Sequence, residues 1–168
     1  MHLEHAQPYD AHSVAALRNQ FRHCFFDHGP VDPIACAKWI SARTQDDCMF
    51  TAKLLPPDNR LVGTIGWSTA SNGKVIVGRI MLNPTTVRQI RRQWRHYDAA
   101  NEMCVLLCQQ LLQRGISRVY AETLVDNALV SHLLKRLSFH CITIRRDIRA
   151  GRIVDIQEWT RSIITDLA

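Results

Sequence analysis

The sequence predicts a single α/β domain, and three observations carry that prediction. Hydrophobic residues fill 46% of 168 positions and charged residues 21%, which suits one packed core and excludes wholesale disorder. The middle of the chain holds three strand-like stretches separated by turn clusters, the third of them rich in branched residues. The back half alternates helical with extended patterns. The expected order is strand, helix, helix, three strands, helix, strand, helix, two strands. No internal repeat, low-complexity tract or linker breaks it, so residues 1–168 read as one unit.

"HLEHAQ" opens as a strand. In "DAHSVAALRNQFRHCFF" Asp10 is placed to cap a helix, and Val14, Leu17, Phe21 and Phe25 recur at helical steps. "HGPVDP" breaks it, and "DPIACAKWISAR" starts a second helix with Asp32 at the cap and Pro33 in the first turn. "CMFTAKLL" and "RLVGTIGWS" flank "PPDN" as an antiparallel hairpin, and "SNG" turns the chain into "KVIVGRIML". "DAANEMCVLLCQQLLQRG" is a helix with Asp98 as cap, Met103, Leu106, Leu107 and Leu111 as its stripe, and Gly115 as stop. "SRVYAETLV" is a strand, "DNALVSHLLKRLSF" a helix striped by Leu129, Leu133 and Leu137, and "HCITIRRDI" with "GRIVDIQEWT" a closing hairpin around "RAG".

The net charge of +6 favours an anionic ligand or partner. Its densest source is "TVRQIRRQWRHYDAAN", residues 86–101, where Arg88, Arg91, Arg92 and Arg95 follow i, i+3, i+4, i+7. Val87, Ile90, Trp94 and Tyr97 form an adjacent apolar stripe, so the segment predicts a short amphipathic helix with its arginines outward. A ligand-free basic face or a nucleic-acid contact would use the same residues, but no recognised nucleic-acid module accompanies them, and nucleic acid is not the expected partner. Cys24, Cys36, Cys48, Cys104, Cys108 and Cys141 form no CxxC pair. Cys104 and Cys108 share one helix face and read as small core residues of a reducing compartment. The His23, Cys24, Asp27, His28 cluster fits no common zinc frame, so no metal is expected. No run approaches the roughly 18 apolar residues of a membrane span, and "MHLEHAQPYD" lacks a signal-peptide layout, so a cytoplasmic location is expected.

The element order, the run "RVYAETLVDNALVSHLLKRLSF", and "LRNQFR" with Arg18, Asn19 and Arg22 together resemble the GCN5-related N-acetyltransferase (GNAT) superfamily. The run from Arg118 to Phe139 is similar to the segment of its ribosomal-protein and sugar-type members, and "FFDHGPVDPIACAKWI" with the later "GRIML" resembles branches that acetylate amino sugars or nucleotide-linked sugars. The resemblance implies a mixed, mostly antiparallel sheet of six or seven strands flanked by helices, splayed between strands 4 and 5. It implies transfer of an acetyl group from acetyl-CoA to a primary amine, such as an amino sugar or nucleotide-linked amino sugar. The family's pyrophosphate loop is eroded here: an ungapped match puts Trp94 at the basic position and Tyr97 at a glycine, and only Ala99 conforms. Leu134 stands where many members carry an acidic tyrosine, and Ser138 replaces a glycine before Phe139. This erosion fits an alternative, a GNAT-fold protein that has lost catalysis and binds a ligand or a protein.

The resemblance assigns the cofactor to Ile80, Met81 and Leu82 on the fourth strand, to Arg92, Arg95, His96, Tyr97, Asp98, Ala99 and Ala100 around the loop and helix start, and to Asn127 after the fifth strand. Arginine forks suit phosphates, and a helix N-terminus adds amides and a positive dipole end, although a carboxylate at Asp98 opposes an anion there. The lone carboxylate of "RVYAETLV", Glu122, alternates onto one face with Tyr120 and Leu124 and is the candidate general base, ahead of His140 and Asp147. Phe25, Phe26 and His28 fall where the family binds its acceptor. A homodimer through the C-terminal strands is a further expectation.

Overall fold

The structure, a computed structural model, describes residues 1–25, 29–149 and 151–163. Seven strands form one sheet: β1 (His2–His5), β2 (Asp47–Lys53), β3 (Leu61–Thr69), β4 (Val75–Leu82), β5 (Arg118–Leu124), β6 (His140–Arg149) and β7 (Arg152–Ser162). Their spatial order is β1-β2-β3-β4-β5-β7-β6. Every neighbouring pair is antiparallel except β4 with β5. Among the described residues five α-helices flank the sheet: α1 (Ala11–Gln20), α2 (Pro33–Ser41), α3 (Pro84–Gln93), α4 (Ala99–Gln113) and α5 (Ala128–Arg136).

Alternation along β2 sends its side chains into two cores. Cys48, Phe50 and Ala52 join Met103, Leu107, Leu111, Leu134 and Trp159 under α3, α4 and α5. Met49, with Met81 of β4, meets Val14, Leu17, Cys36 and Ile40 of α1 and α2. Cys104 and Cys108 lie in the first core as buried thiols, in keeping with their shared helix face.

The one parallel contact is brief: β4 and β5 share a single register pair, Ile76 with Tyr120, after which the strands diverge. The cause lies in β4. Opposite Ile65 the strand carries two residues, Arg79 and Ile80, a β-bulge between the Thr64–Met81 and Gly66–Gly78 pairs. Arg79 takes φ 58°, a costly value for a residue with a Cβ. Its guanidinium offsets that cost by donating to Cys48 O at 3.1 Å, Trp67 O at 3.2 Å and Asp47 Oδ1 at 2.5 Å. Thr64 Oγ1 donates to Arg79 O at 2.9 Å and holds the other side of the bulge.

Four local expectations are corrected. Asp10 makes no side-chain cap. It ends a short 3-10 turn, Pro8–Asp10, and its Oδ2 accepts from Gln7 N–H. The first helix stops at Gln20 and passes into a second 3-10 turn, Arg22–Cys24, while the Asn19 side chain donates to Val31 O and accepts from Val31 N, both at 2.8 Å, and holds the chain that returns toward α2. Trp94 leaves the predicted stripe: α3 ends at Gln93, Trp94 takes non-helical dihedrals, and its ring is 69% exposed. Leu129 is 66% exposed, while Leu134 and Leu137 carry the buried face of α5.

Helix α5 ends on Ser138 at φ 61°, the left-handed position that glycine favours. Ser138→Gly therefore should stabilise the fold by about 1 kcal/mol, seen as a higher urea midpoint with an unchanged slope.

Candidate functional site

Where β4 and β5 part, a cavity of about 400 Å³ opens between Gly78, Arg79 and Ile80 on one side and Ala121, Glu122, Thr123 and Leu124 on the other. A second cavity, of about 460 Å³, adjoins it and shares Cys24, Phe25, Ile80, Val130 and Leu133. Together they form one cleft of ligand-binding size from the splay to the start of α4. Past Ile76, the β5-facing backbone groups of β4 have no strand partner among the described residues, which leaves polar groups to line an apolar gap. Ile80, Met81 and Leu82 all line the second cavity.

Asn83 caps α3, its Oδ1 accepting from Thr85 N at 3.1 Å and Thr86 N at 3.2 Å, and Pro84 takes the first turn. Burial of Val87 and Ile90 then fixes the helix rotation. That rotation puts Arg88 and Arg91 on the cleft. Arg92 goes to a separate hollow with Trp94, Gln89 and Arg60. Arg95 and His96 are exposed and line neither part of the cleft.

Neither bulky ring of the eroded loop lines the cleft. Tyr97 packs into the main core and its hydroxyl donates to Met1 Sδ at 3.9 Å. Burial, and then Glu102, push its pKa above the ordinary phenol value. Its carbonyl accepts from Arg91 Nε at 3.2 Å and tethers α3 to the loop.

Asp98 caps α4, with Asn101 N donating to its Oδ1 at 3.2 Å. Its other oxygen pairs with Arg136 of α5, which also lines the cleft. The carboxylate is thus matched by a cation that sequence reasoning did not single out, and the opposition to an anion at this helix end is relieved. Ala99 and Ala100 follow, both buried, and small side chains let the first amides of α4 be approached closely. Arg88, Arg91, Arg136 and His132 make this end of the cleft cationic and nitrogen-rich.

Glu122 lines the splay and is mostly covered, its side chain 15% exposed. Arg145 Nη2 donates to its Oε1 at 2.6 Å and Arg149 Nη2 to its Oε2 at 3.1 Å. The same two guanidiniums meet at Asp147, at 2.5 and 3.0 Å, and close a ring of two carboxylates and two arginines across β7. Within it, hydrogen bonds to Asp147 and then Glu122 raise the Arg145 pKa, and Arg145 depresses that of Asp147. His140, opposite Thr160 on the exposed β6, lines neither cavity. Asn127 caps α5, accepting from Val130 N at 3.1 Å and donating to Cys24 O at 3.3 Å, and it lines a neighbouring hollow with Asp126 and Asp155, not the cleft. Phe25 stands at the junction of the two cavities with Arg18 stacked 3.8 Å from its ring centre. Phe26 and His28 lie outside the described residues.

No group of three or more potential metal ligands is found among the described residues. No helix among them is long and apolar enough to cross a membrane. No family model matches the sequence, and no curated protein matches it either. Solved structures do. A protein from Chromobacterium violaceum, described as a probable acetyltransferase of the GNAT family, is 16% identical and matches with a TM-score of 0.78 over 99% of this chain and 84% of its own. Spermidine N-acetyltransferase from Vibrio cholerae, in complex with CoA and spermine, gives 0.75 at 13% identity over 99% and 97%. Ribosomal-protein-alanine N-acetyltransferase from Brucella melitensis gives 0.72 at 13% identity over 96% and 99%. At such identities the likeness concerns the fold: the chain has the GNAT fold, splayed β4–β5 pair included.

Proposed function

We propose that this GNAT-fold chain is an N-acetyltransferase that moves an acetyl group from acetyl-CoA to the primary amine of a small molecule. The observation that carries the reading is the continuous cleft, which begins between unpaired strand edges and ends at a cationic helix start. These residues fit the cofactor. Arg88, Arg91 and Arg136, with the amides at Ala99 and Ala100, suit phosphates, and the narrow apolar splay suits a pantetheine arm.

Bound there, acetyl-CoA supplies an activated thioester acyl group. The chain's own contribution is placement and charge. Unpaired N–H groups of β4 around Ile80 to Leu82 polarise a carbonyl laid along that edge. Glu122, the carboxylate lining the splay, receives the proton that the attacking amine must lose. Phe25 borders the acceptor side. Leu134, buried at the back of the splay, cannot protonate a departing thiolate, so solvent takes that role.

Titration calorimetry with CoA, followed by thiol release in the presence of a polyamine, an amino sugar, an amino acid and a peptide N-terminus, tests the proposal. Saturable heat and thiol release with at least one amine are expected. Absence of heat at millimolar CoA overturns it. Heat without turnover on any amine favours the alternative, a GNAT-fold binding module.

A further inference from the structure

Another cavity, of about 660 Å³, lies where α2 and α4 end beside the start of β2, closed on one side by the chain that follows β1. It shares no lining residue with either part of the cleft. Its volume is within the range of small-molecule sites. Ala6, Pro8, Ile40 and Met49 give it an apolar wall. The guanidiniums of Arg43 and Arg114 face that wall, and no carboxylate is among the lining residues.

Both cations are short of partners. Arg114 is exposed, stands 5.3 Å from the Trp67 ring centre and makes one long bond, 3.4 Å, to Gln45 O. Arg43 lies 3.4 Å over the centre of the Trp39 ring, its side chain only 11% exposed. Its Nη1 meets Asp47, but Asp47 also accepts from Arg79 at 2.5 Å, so one carboxylate serves two guanidiniums. Arg43 Nε is buried with no acceptor among the described residues. Burial, and then the charge of Arg79, pull the Arg43 pKa below the ordinary guanidinium value. A buried donor left open is costly, and native proteins seldom leave one without a partner. The last carbonyls of α2 and α4 lend about half a negative charge each, which falls short of the two guanidiniums.

The geometry points to a dianionic phosphate, free or carried on a small molecule, as the occupant of this cavity, held between Arg43 and Arg114. Two guanidinium forks select the ligand class. One fork fills both oxygens of a carboxylate, whereas the three terminal oxygens of a phosphate take donors from two forks at once. Arg43 is fixed by Trp39 and Asp47, and Arg114, exposed and lightly held, turns onto the anion from the other side. The apolar wall leaves room for the rest of a phosphate ester. The site stands apart from the cleft and does not depend on the proposed activity.

Titration calorimetry at about pH 8, where phosphate is dianionic, tests it. The protein carries Arg88→Ala and Arg91→Ala, so that the end of the cleft offers no strong second phosphate site. Inorganic phosphate and phenyl phosphate should each give saturable heat at millimolar concentration, and acetate at equal ionic strength should give none. Tighter binding of the ester places the phosphate on a small molecule; equal affinities make free phosphate the ligand. Adding Arg114→Ala should weaken binding by at least about tenfold, with unchanged circular dichroism because the side chain is exposed. Arg43→Lys keeps the charge beside Asp47 but loses the fork, and should weaken binding as well. Absence of heat with both phosphate compounds, acetate heat equal to theirs, or binding that neither Arg114→Ala nor Arg43→Lys alters would each overturn the proposal.

Discussion

Replacing Arg88 and Arg91 together by alanine weakens CoA binding by about 10- to 100-fold, the loss expected when charge-assisted contacts to phosphate disappear from a partly solvated site. Replacing Arg92 and Arg95 together leaves affinity within about twofold, because exposed charges that touch no ligand contribute little. Calorimetric titration of both double variants against the parent measures the contrast. All four arginines are exposed, so losing the Arg91 bond to the Tyr97 carbonyl should lower melting only slightly, and a large affinity change cannot be ascribed to unfolding. The contrast follows from helix phase: burial of Val87 and Ile90 turns the first pair to the cleft and Arg92 toward Trp94 and Arg60. Equal losses in the two variants would mean that this segment attracts phosphate only through bulk charge. The loss would then fade in high salt for both.

The same helix shows where sequence reading succeeds and where it stops. Spacing alone revealed an arginine face, and local capping by Asn83 and Pro84 made the helix. Spacing did not reveal which arginines face the cleft, because rotation is set by what Val87 and Ile90 pack against, and those partners come from β-strands earlier in the chain. Asp98 shows the limit from another side. Its capping role is written in neighbouring residues, but its neutralisation by Arg136 depends on α5 lying beside α4. The tyrosine at the family's glycine position looked like an obstacle in one dimension. In three dimensions its ring turns into the core beside Met1, and only its carbonyl remains at the loop. The succession of strands and helices along the chain was legible from turn clusters and alternation, and the splay was legible only through resemblance. Its physical cause, a bulge that places Arg79 at positive φ, is signalled only indirectly, by Gly78 before it and Gly66 across from it, and not by a glycine at the strained position itself.

Glu122→Gln should lower kcat by roughly 10²- to 10⁴-fold, the usual contribution of a positioned general base, with CoA affinity unchanged. The substitution keeps side-chain shape and one acceptor oxygen, but it removes the charge that answers Arg145 and Arg149. A drop in rate alone would therefore not separate proton transfer from loosening of β6. Arg145→Gln makes the separation. It breaks one arm of the ring and leaves Glu122 its bond to Arg149 at 3.1 Å, so a base stays in place and should retain most of its turnover. The pH profile adds a second reading. If Glu122 takes the amine proton, the limb of kcat/KM that rises with deprotonation of the base flattens in Glu122→Gln and persists in Arg145→Gln. Equal losses in the two variants with the limb intact in both would make Glu122 a strut between β5 and β6. The proton would then leave through water held on the open edge of β4, where unpaired backbone groups already line the same cavity.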